Sequence, residues 1–189
     1  AGIDTIVFDK TGTLTLGRPE LVGGDYSAEY LKLAASLAAH SRHPLSKAIA
    51  GKYNGPRVPL TVKELPGKGL SADLNDTHIQ LGSRAWCGPA TEGETDQSEL
   101  WLALDGKPIA HFVFEDQLRP DTALTIRQIH QTGMRTTLLS GDREATATNV
   151  ARKLGIPEVI AEVTPTEKCD YLASLKARGK TVLMVGDGL

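Results

Sequence analysis

The stretch that decides the fold is DTIVFDKTGTLT, residues 4–15. Thr5, Ile6, Val7 and Phe8 are β-branched or aromatic, and four such residues in a row suit a strand buried on both faces. The strand runs into Asp9, and a loop of one lysine, one glycine and three threonines follows. A carboxylate at the carboxyl end of a buried strand is held rigidly. It can serve as metal ligand, base or nucleophile. The loop in front of it offers Lys10, backbone N–H groups freed by Gly12, and the hydroxyls of Thr11, Thr13 and Thr15. Those are the groups that cradle phosphoryl oxygens, so the stretch points to covalent catalysis through an aspartyl phosphate. An isolated Asp at a strand end is more often a turn residue, and the assignment therefore depends on distant partners.

Two further runs end in the same way, RTTLLSGD (135–142) and KTVLMVGDG (180–188). Between them lie helical patterns. RPDTALTIRQIHQTG starts behind Pro120 and stops at Gly133; GDREATATNVARKLG stops at Gly155; TPTEKCDYLASLKARG carries a capping box, with Thr164 as N-cap, Pro165 next and Glu167 third. Strand alternating with helix predicts a parallel α/β sheet, whose ligands sit beyond the carboxyl ends of the strands. A phosphoryl transfer there needs a cation, a lysine and hydrogen-bond donors. The candidates are Ser140 and Asp142 from SGD, Lys168 near a helix start, and Asp187 from GDG. With Asp9 and the Thr11 carbonyl, Asp187 would hold Mg²⁺, which favours one or two carboxylates plus phosphate oxygens and water.

The segment from about residue 18 to 110 reads as a helix pair, SAEYLKLAASLAAH and HPLSKAIAGKY, and then antiparallel strands. A hairpin turns at Asp105-Gly106. The expected organisation is a parallel-sheet domain of residues 1–18 and 112–189, with an α+β domain of residues 19–111 inserted into it. The polar loop GPATEGETDQS (88–98) reads as mobile.

The order of Asp9, Ser140, Lys168 and Asp187 resembles that of the haloacid dehalogenase-like phosphotransferases. The heptad DKTGTLT (9–15) resembles the phosphorylation motif of P-type ATPases. In phosphatases of that fold the residue two beyond the nucleophile is usually a second aspartate, the general acid and base. Here it is Thr11, which cannot activate water, so the resemblance implies a phosphoenzyme that persists. The insert agrees. HSRHPLSKAI resembles the Ser-Glu-His-Pro-Leu motif of heavy-metal-transporting P-type ATPases through Ser41, His43, Pro44 and Leu45. PGKGL resembles their Gly-x-Gly nucleotide loop through Gly67 and Gly69, and LGSRAW their Gly-Asn-Arg segment through Gly82 and Arg84. Departures are Arg42 where Glu is frequent, Ser83 for Asn, Ser140 for Thr, and Ala38 where a glutamate often contacts adenine.

The resemblance implies an ATP-binding and phosphorylation unit of a pump for heavy-metal ions, copper(I) first and zinc, cadmium or cobalt as alternatives. The nucleotide would meet Ser41, His43, Gly67, Gly69, Gly82 and Asp142. The catalytic set would be Asp9, Thr11, Ser140 and Lys168. Implied partners are the membrane and actuator domains of the same pump and a soluble metallochaperone, at the cytoplasmic face of a membrane. The chain reads as an excised piece that binds ATP with little turnover. The other readings weighed are a stand-alone phosphatase of the same fold and a non-catalytic nucleotide-sensing module.

Composition restricts the rest. The 189 residues carry a net charge of −2, which gives no case for a nucleic-acid partner. Cys87 and Cys169 are far apart and in no metal-ligand spacing. No apolar run approaches the roughly 18 residues of a membrane span.

Overall fold

The computed structural model describes residues 2–90 and 97–186. It separates into two compact units, residues 1–17 with 117–189, and residues 18–116.

The first unit is built on a four-stranded sheet in the order β10-β1-β8-β9, made of β1 (Thr5–Asp9), β8 (Arg135–Leu139), β9 (Glu158–Ile160) and β10 (Val182–Val185). All its pairings are parallel, with Thr5 opposite both Val182 and Arg135. Three helices cover it: α4 (Thr122–Gln131), α5 (Glu144–Leu154) and α6 (Pro165–Ala177). Ile6, Phe8 and Leu138 pack with Ile126 of α4 and Ala147, Ala151 and Leu154 of α5. Val7 and Leu139 pack with Leu175 of α6. Successive β1 residues thus feed opposite layers, which is why the strand carries no polar alternation. Gly155 ends α5 in the left-handed region at φ 72°. The capping box of α6 is formed: Thr164 N–H donates to Glu167 Oε2 at 2.7 Å, and Glu167 N–H to Thr164 Oγ1 at 3.2 Å.

The second unit has a six-stranded sheet in the order β2-β7-β6-β5-β4-β3. Its strands are β2 (Thr15–Asp25), β3 (Lys63–Leu65), β4 (Gly69–Leu74), β5 (Thr77–Gly82), β6 (Ser98–Leu104) and β7 (Lys107–Leu118). Helices α1 (Ala28–Ala38) and α2 (Pro44–Lys52) cover one face, burying Leu37 and Ile49 against Leu70, Ile79, Leu81, Leu102 and Phe112. A short helix, α3 (Arg84–Cys87), follows β5.

Three expectations need correction. The insert does not open with the helix pair but with β2, whose Gly17, Pro19, Gly23 and Gly24 argue against a strand on local propensity. Pairing with its neighbour β7 overrides that propensity. The boundary expected between residues 111 and 112 falls inside β7, which is continuous, and the unit runs to Asp116. A fourth parallel strand, β9, follows α5 where none was expected. Of the 88–98 loop, residues 91–96 lie outside the described residues, and Ser98 already belongs to β6.

Candidate functional site

In the first unit β1 delivers Asp9 to the carboxyl end of the parallel sheet. Lys168, in the first turn of α6, donates from Nζ to both carboxylate oxygens, at 3.1 Å to Oδ1 and 3.0 Å to Oδ2. Both side chains are largely shielded, at 14% and 22% exposure, so little water screens the pair. Residues 159 positions apart in the sequence meet here because α6 covers the face of the sheet that β1 crosses.

The loop after Asp9 is shaped by its own backbone. Gly12 adopts φ 76°, a conformation that would strain any side-chain-bearing residue. Arg119, just past β7, holds the loop: its guanidinium donates to the Gly12 carbonyl at 2.8 Å and its N–H to the Leu14 carbonyl at 2.9 Å. Two expected phosphoryl donors are otherwise engaged. Thr15 is fully buried, with its hydroxyl turned to the Lys10 carbonyl at 3.5 Å. Lys10 is buried and paired with the Asp142 carboxylate. The Lys10–Asp142 pair ties the loop after β1 to the loop after β8. Thr11 stays exposed.

Ser140 follows β8 and is 1% exposed. Its Oγ accepts from Asp142 N–H at 3.1 Å. Among the described residues nothing accepts its hydroxyl proton; a hydroxyl both accepts and donates.

Mg²⁺ prefers hard oxygen donors and retains several waters. Among the described residues no group of three or more His, Cys, Asp or Glu could hold a metal. They do offer Asp9, with Gly186 beside it: a Cβ at 186 would lie 3.1 Å from Asp9 Cβ and 3.9 Å from Oδ2. A carboxylate flanked by a residue without a side chain fits a hydrated divalent cation. Asp187, the expected second carboxylate, lies outside the described residues.

The nucleotide candidates fall in the second unit. His43 is the N-cap of α2; its Nδ1 accepts from Leu45 N–H at 3.3 Å and the side chain is exposed. Ser41 is buried, donates to Glu64 Oε1 at 2.9 Å and accepts from His43 N–H at 3.1 Å. Gly69 and Gly82 face each other across β4 and β5. A Cβ on Gly69 would overlap the Leu81 carbonyl, and one on Gly82 would overlap the Lys68 carbonyl and stand 2.7 Å from the Trp86 ring. These two glycines are therefore required by the approach of their own backbones. Gly67, at φ 73° with nothing near its Cβ position, is the open one. Ala38, at the position where resemblance suggested an adenine contact, is fully buried in the helix–sheet core.

Sequence reading missed a polar cluster on β6, β7 and α3. Arg84 donates to Glu99 from Nε at 2.6 Å and from Nη2 at 3.1 Å, and His111 Nε2 lies 2.5 Å from Glu99 Oε2. The His111 ring stacks on Trp101 at 4.3 Å, and the Arg84 guanidinium sits 5.0 Å from the same indole. Burial works to raise the Glu99 carboxyl, but the hydrogen bonds from Arg84 and His111 outweigh it and leave it below its ordinary value. Beside the cluster Cys87 is buried, and burial pushes its thiol up to about 11; it is unreactive at neutral pH.

The chain matches the haloacid dehalogenase-like hydrolases over residues 3–189 and belongs to that family. It is 40% identical over 192 residues to the nitrogen fixation protein FixI of Rhizobium meliloti (strain 1021), an alignment covering 100% of this chain and 25% of that protein. It is 37% identical over 207 residues to copper-transporting ATPase 1 of the same organism, covering 98% of this chain and 25% of that one. With the probable copper-transporting ATPase PacS of Synechococcus elongatus it shares 34% over 209 residues, 99% of this chain and 28% of the relative. The chain thus spans about a quarter of the length of the curated relatives it matches. Among solved structures, the catalytic domain of the CPx-ATPase CopB-B superposes with a TM-score of 0.80 at 31% identity, over 99% of this chain and 72% of that one. A zinc-transporting PIB-type ATPase in its E2.Pi state gives 0.83 at 26% identity, over 98% and 33%. No helix among the described residues is long and apolar enough to cross a membrane.

Proposed function

We propose that this chain is the ATP-binding and phosphorylation part of a heavy-metal P-type ATPase, with residues 1–17 and 117–189 as the phosphorylation domain and 18–116 as the nucleotide-binding domain. The observation that carries the reading is the Lys168 ammonium, within 3.1 Å of both oxygens of Asp9 at the end of β1. An Asp9 oxygen attacks the γ-phosphorus of ATP, the bond to the bridging oxygen breaks, and ADP leaves with that electron pair. Lys168 offsets the negative charge that builds on the phosphoryl oxygens, and the Ser140 hydroxyl donates to one of them. Bound Mg²⁺ supplies further charge neutralisation, with Asp9, the Thr11 carbonyl and Asp187 as its proposed protein ligands. Asp142, through Lys10, holds the two loops at a fixed spacing. His43, Ser41, Gly67, Gly69 and Gly82 form the proposed nucleotide site of the second unit.

With no acid at position 11, the aspartyl phosphate waits for a group supplied from elsewhere in the pump, the actuator domain. The membrane domain is the second partner of the same polypeptide, a metallochaperone a separate one. The cargo favoured is copper(I), because relatives bearing copper names match the chain along 98% or more of its length; the likeness to a zinc-transporting ATPase keeps zinc as the second reading. The catalytic part would stand at the cytoplasmic face of the membrane, and alone it would bind ATP with little turnover. The test is labelling of the full-length pump with γ-labelled ATP. The expected product is stable in acid, released by hydroxylamine and absent from Asp9→Asn. Label that survives hydroxylamine, or that persists in Asp9→Asn, would sink the proposal.

A further inference from the structure

The polar cluster of the second unit sits where the proposed nucleotide loops are anchored. Directly opposed residues align across four strands: Gly69 with Gly82, Gly82 with Trp101, and Trp101 with His111. Their neighbours Leu70, Leu81, Leu102, Ala110 and Phe112 belong to the core under α1 and α2, so this row lies on the other face of the sheet. Two members have no side chain; the other two are a stacked indole–imidazole pair. Arg84, two residues after Gly82, binds that stack and is fixed by both oxygens of Glu99. The turn is also bonded back to the first loop, because Ser83 N–H donates to the Lys68 carbonyl at 3.0 Å. Movement of Arg84 would therefore pass through Ser83 to residues 67–69 by one covalent step and one hydrogen bond.

We infer that Glu99 is a positioning residue for nucleotide binding: by gripping Arg84 and His111 together it fixes the Gly82–Ser83 turn, and with it the Gly67–Gly69 loop, in the geometry that receives the nucleotide. The inference rests on the nucleotide-binding reading of those glycines. Glu99 itself does not touch the nucleotide. A carboxylate held by an arginine fork and an imidazole has a defined rotamer, and the Arg84 backbone is committed to α3, so the grip carries no slack. Glu99, on β6, reaches both partners, Arg84 on α3 and His111 on β7.

The experiment is an ATP titration of the ¹⁵N-labelled chain, read at the backbone amides, with Glu99→Ala, Glu99→Gln and, as control, Glu115→Gln on neighbouring β7. Glu99→Ala should weaken ATP binding by roughly five- to tenfold and displace the ligand-free amide signals of Lys68, Gly69, Gly82 and Ser83. Glu99→Gln, which still accepts from Arg84, should fall between Glu99→Ala and the parent, and it carries the test should Glu99→Ala fail to fold. Glu115→Gln should bind as the parent does. A purely structural role would lower the melting temperature while leaving ATP affinity of the folded chain untouched. The role of Glu99 is overturned when both Glu99 variants bind ATP within twofold of the parent, or when the displaced amides stop at β6 and β7. A parent chain that binds no ATP would instead remove the nucleotide-binding reading on which the inference stands.

Discussion

Replacing Lys168 by Gln removes the charge that both oxygens of Asp9 contact, while keeping a polar side chain one bond shorter. At the observed 3.0 Å separation, and with an effective dielectric constant of about 20, the direct attraction is on the order of 5 kcal/mol. The residual exposure of the two side chains, 14% and 22%, reduces it somewhat. Part of the attraction serves the resting carboxylate and cancels from the rate. What remains for the transition state is about 3–4 kcal/mol, the range found when a positioned donor to developing charge is removed, and it corresponds to a phosphorylation rate lower by roughly 10²–10³. Rapid-quench labelling of the full-length pump with γ-labelled ATP measures that rate. Binding of ATP to the second unit, followed separately by the amides of Gly67 and Gly82, should stay within twofold, since Lys168 is not part of it. Lys168→Arg should recover little, because a planar fork cannot place one compact charge where the ammonium sits. A Lys168→Gln pump that phosphorylates within threefold of the parent would refute the assignment of Lys168 to charge stabilisation and reduce its contact with Asp9 to a structural ion pair.

Three further outcomes follow from other residues. Thr11→Asp restores a general acid and base beside the nucleophile, and the phosphoenzyme half-life in a chase with unlabelled ATP should shorten by roughly 10²-fold. Gly82→Ala drives a methyl group into the Lys68 carbonyl and the Trp86 ring, and should cost the second unit about 1–3 kcal/mol, seen as a fall of several degrees in its Tm. Glu99 has a folded-state pKa below its ordinary 4.5, so its contribution to stability is complete above about pH 4.5 and is lost as the pH falls through the lower folded value. Acid titrations of Tm should accordingly show a steeper decline for the parent than for Glu99→Gln.

The first unit was legible where its signals are local and where its central strands, β1 and β8, are buried on both faces. The apolar runs at 5–8 and 136–139, the capping box at Thr164 and the stop at Gly155 name their elements without reference to the rest of the chain. The parallel-sheet rule together with chain order gave Asp9 and Ser140 as residues at the carboxyl ends of strands, where β1 and the neighbouring β8 carry them. In the second unit the turn at Asp105-Gly106 was readable and formed, with φ of 48° and 75°. Counting outward from that turn, however, would set Trp101 opposite Ala110. The real pairing shifts by one residue between Leu102 and Ala103, next to Pro108, and brings Trp101 against His111 instead. That one-residue slip kept the Glu99 cluster out of reach of pattern reading. Strand β2 was missed for a related reason, since its residues are chosen for the strand beside them. Thr15 and Lys10 show the limit at the site itself: a hydroxyl and an ammonium next to a nucleophile look catalytic in one dimension, and in the fold they secure the loop.

The order of the strands also bears on how the chain is made. Thr5 pairs with Arg135 and Val182, so β1 leaves the ribosome roughly 130 residues ahead of its first partner, a delay on the order of ten seconds at ordinary elongation rates. Throughout that interval an apolar strand has no sheet to join. The inserted unit is synthesised whole in the meantime, and its two ends leave it on neighbouring strands, β2 and β7. Once it folds, the long loop between β1 and β8 shrinks to residues 10–17 and 117–134, outside the insert, and the entropy of closing it falls accordingly. The insert acts as a clasp that shortens the search of the sheet that carries Asp9. A variant that delays its folding should expose β1 to aggregation or chaperone capture during translation, even where the finished protein is as stable as the parent.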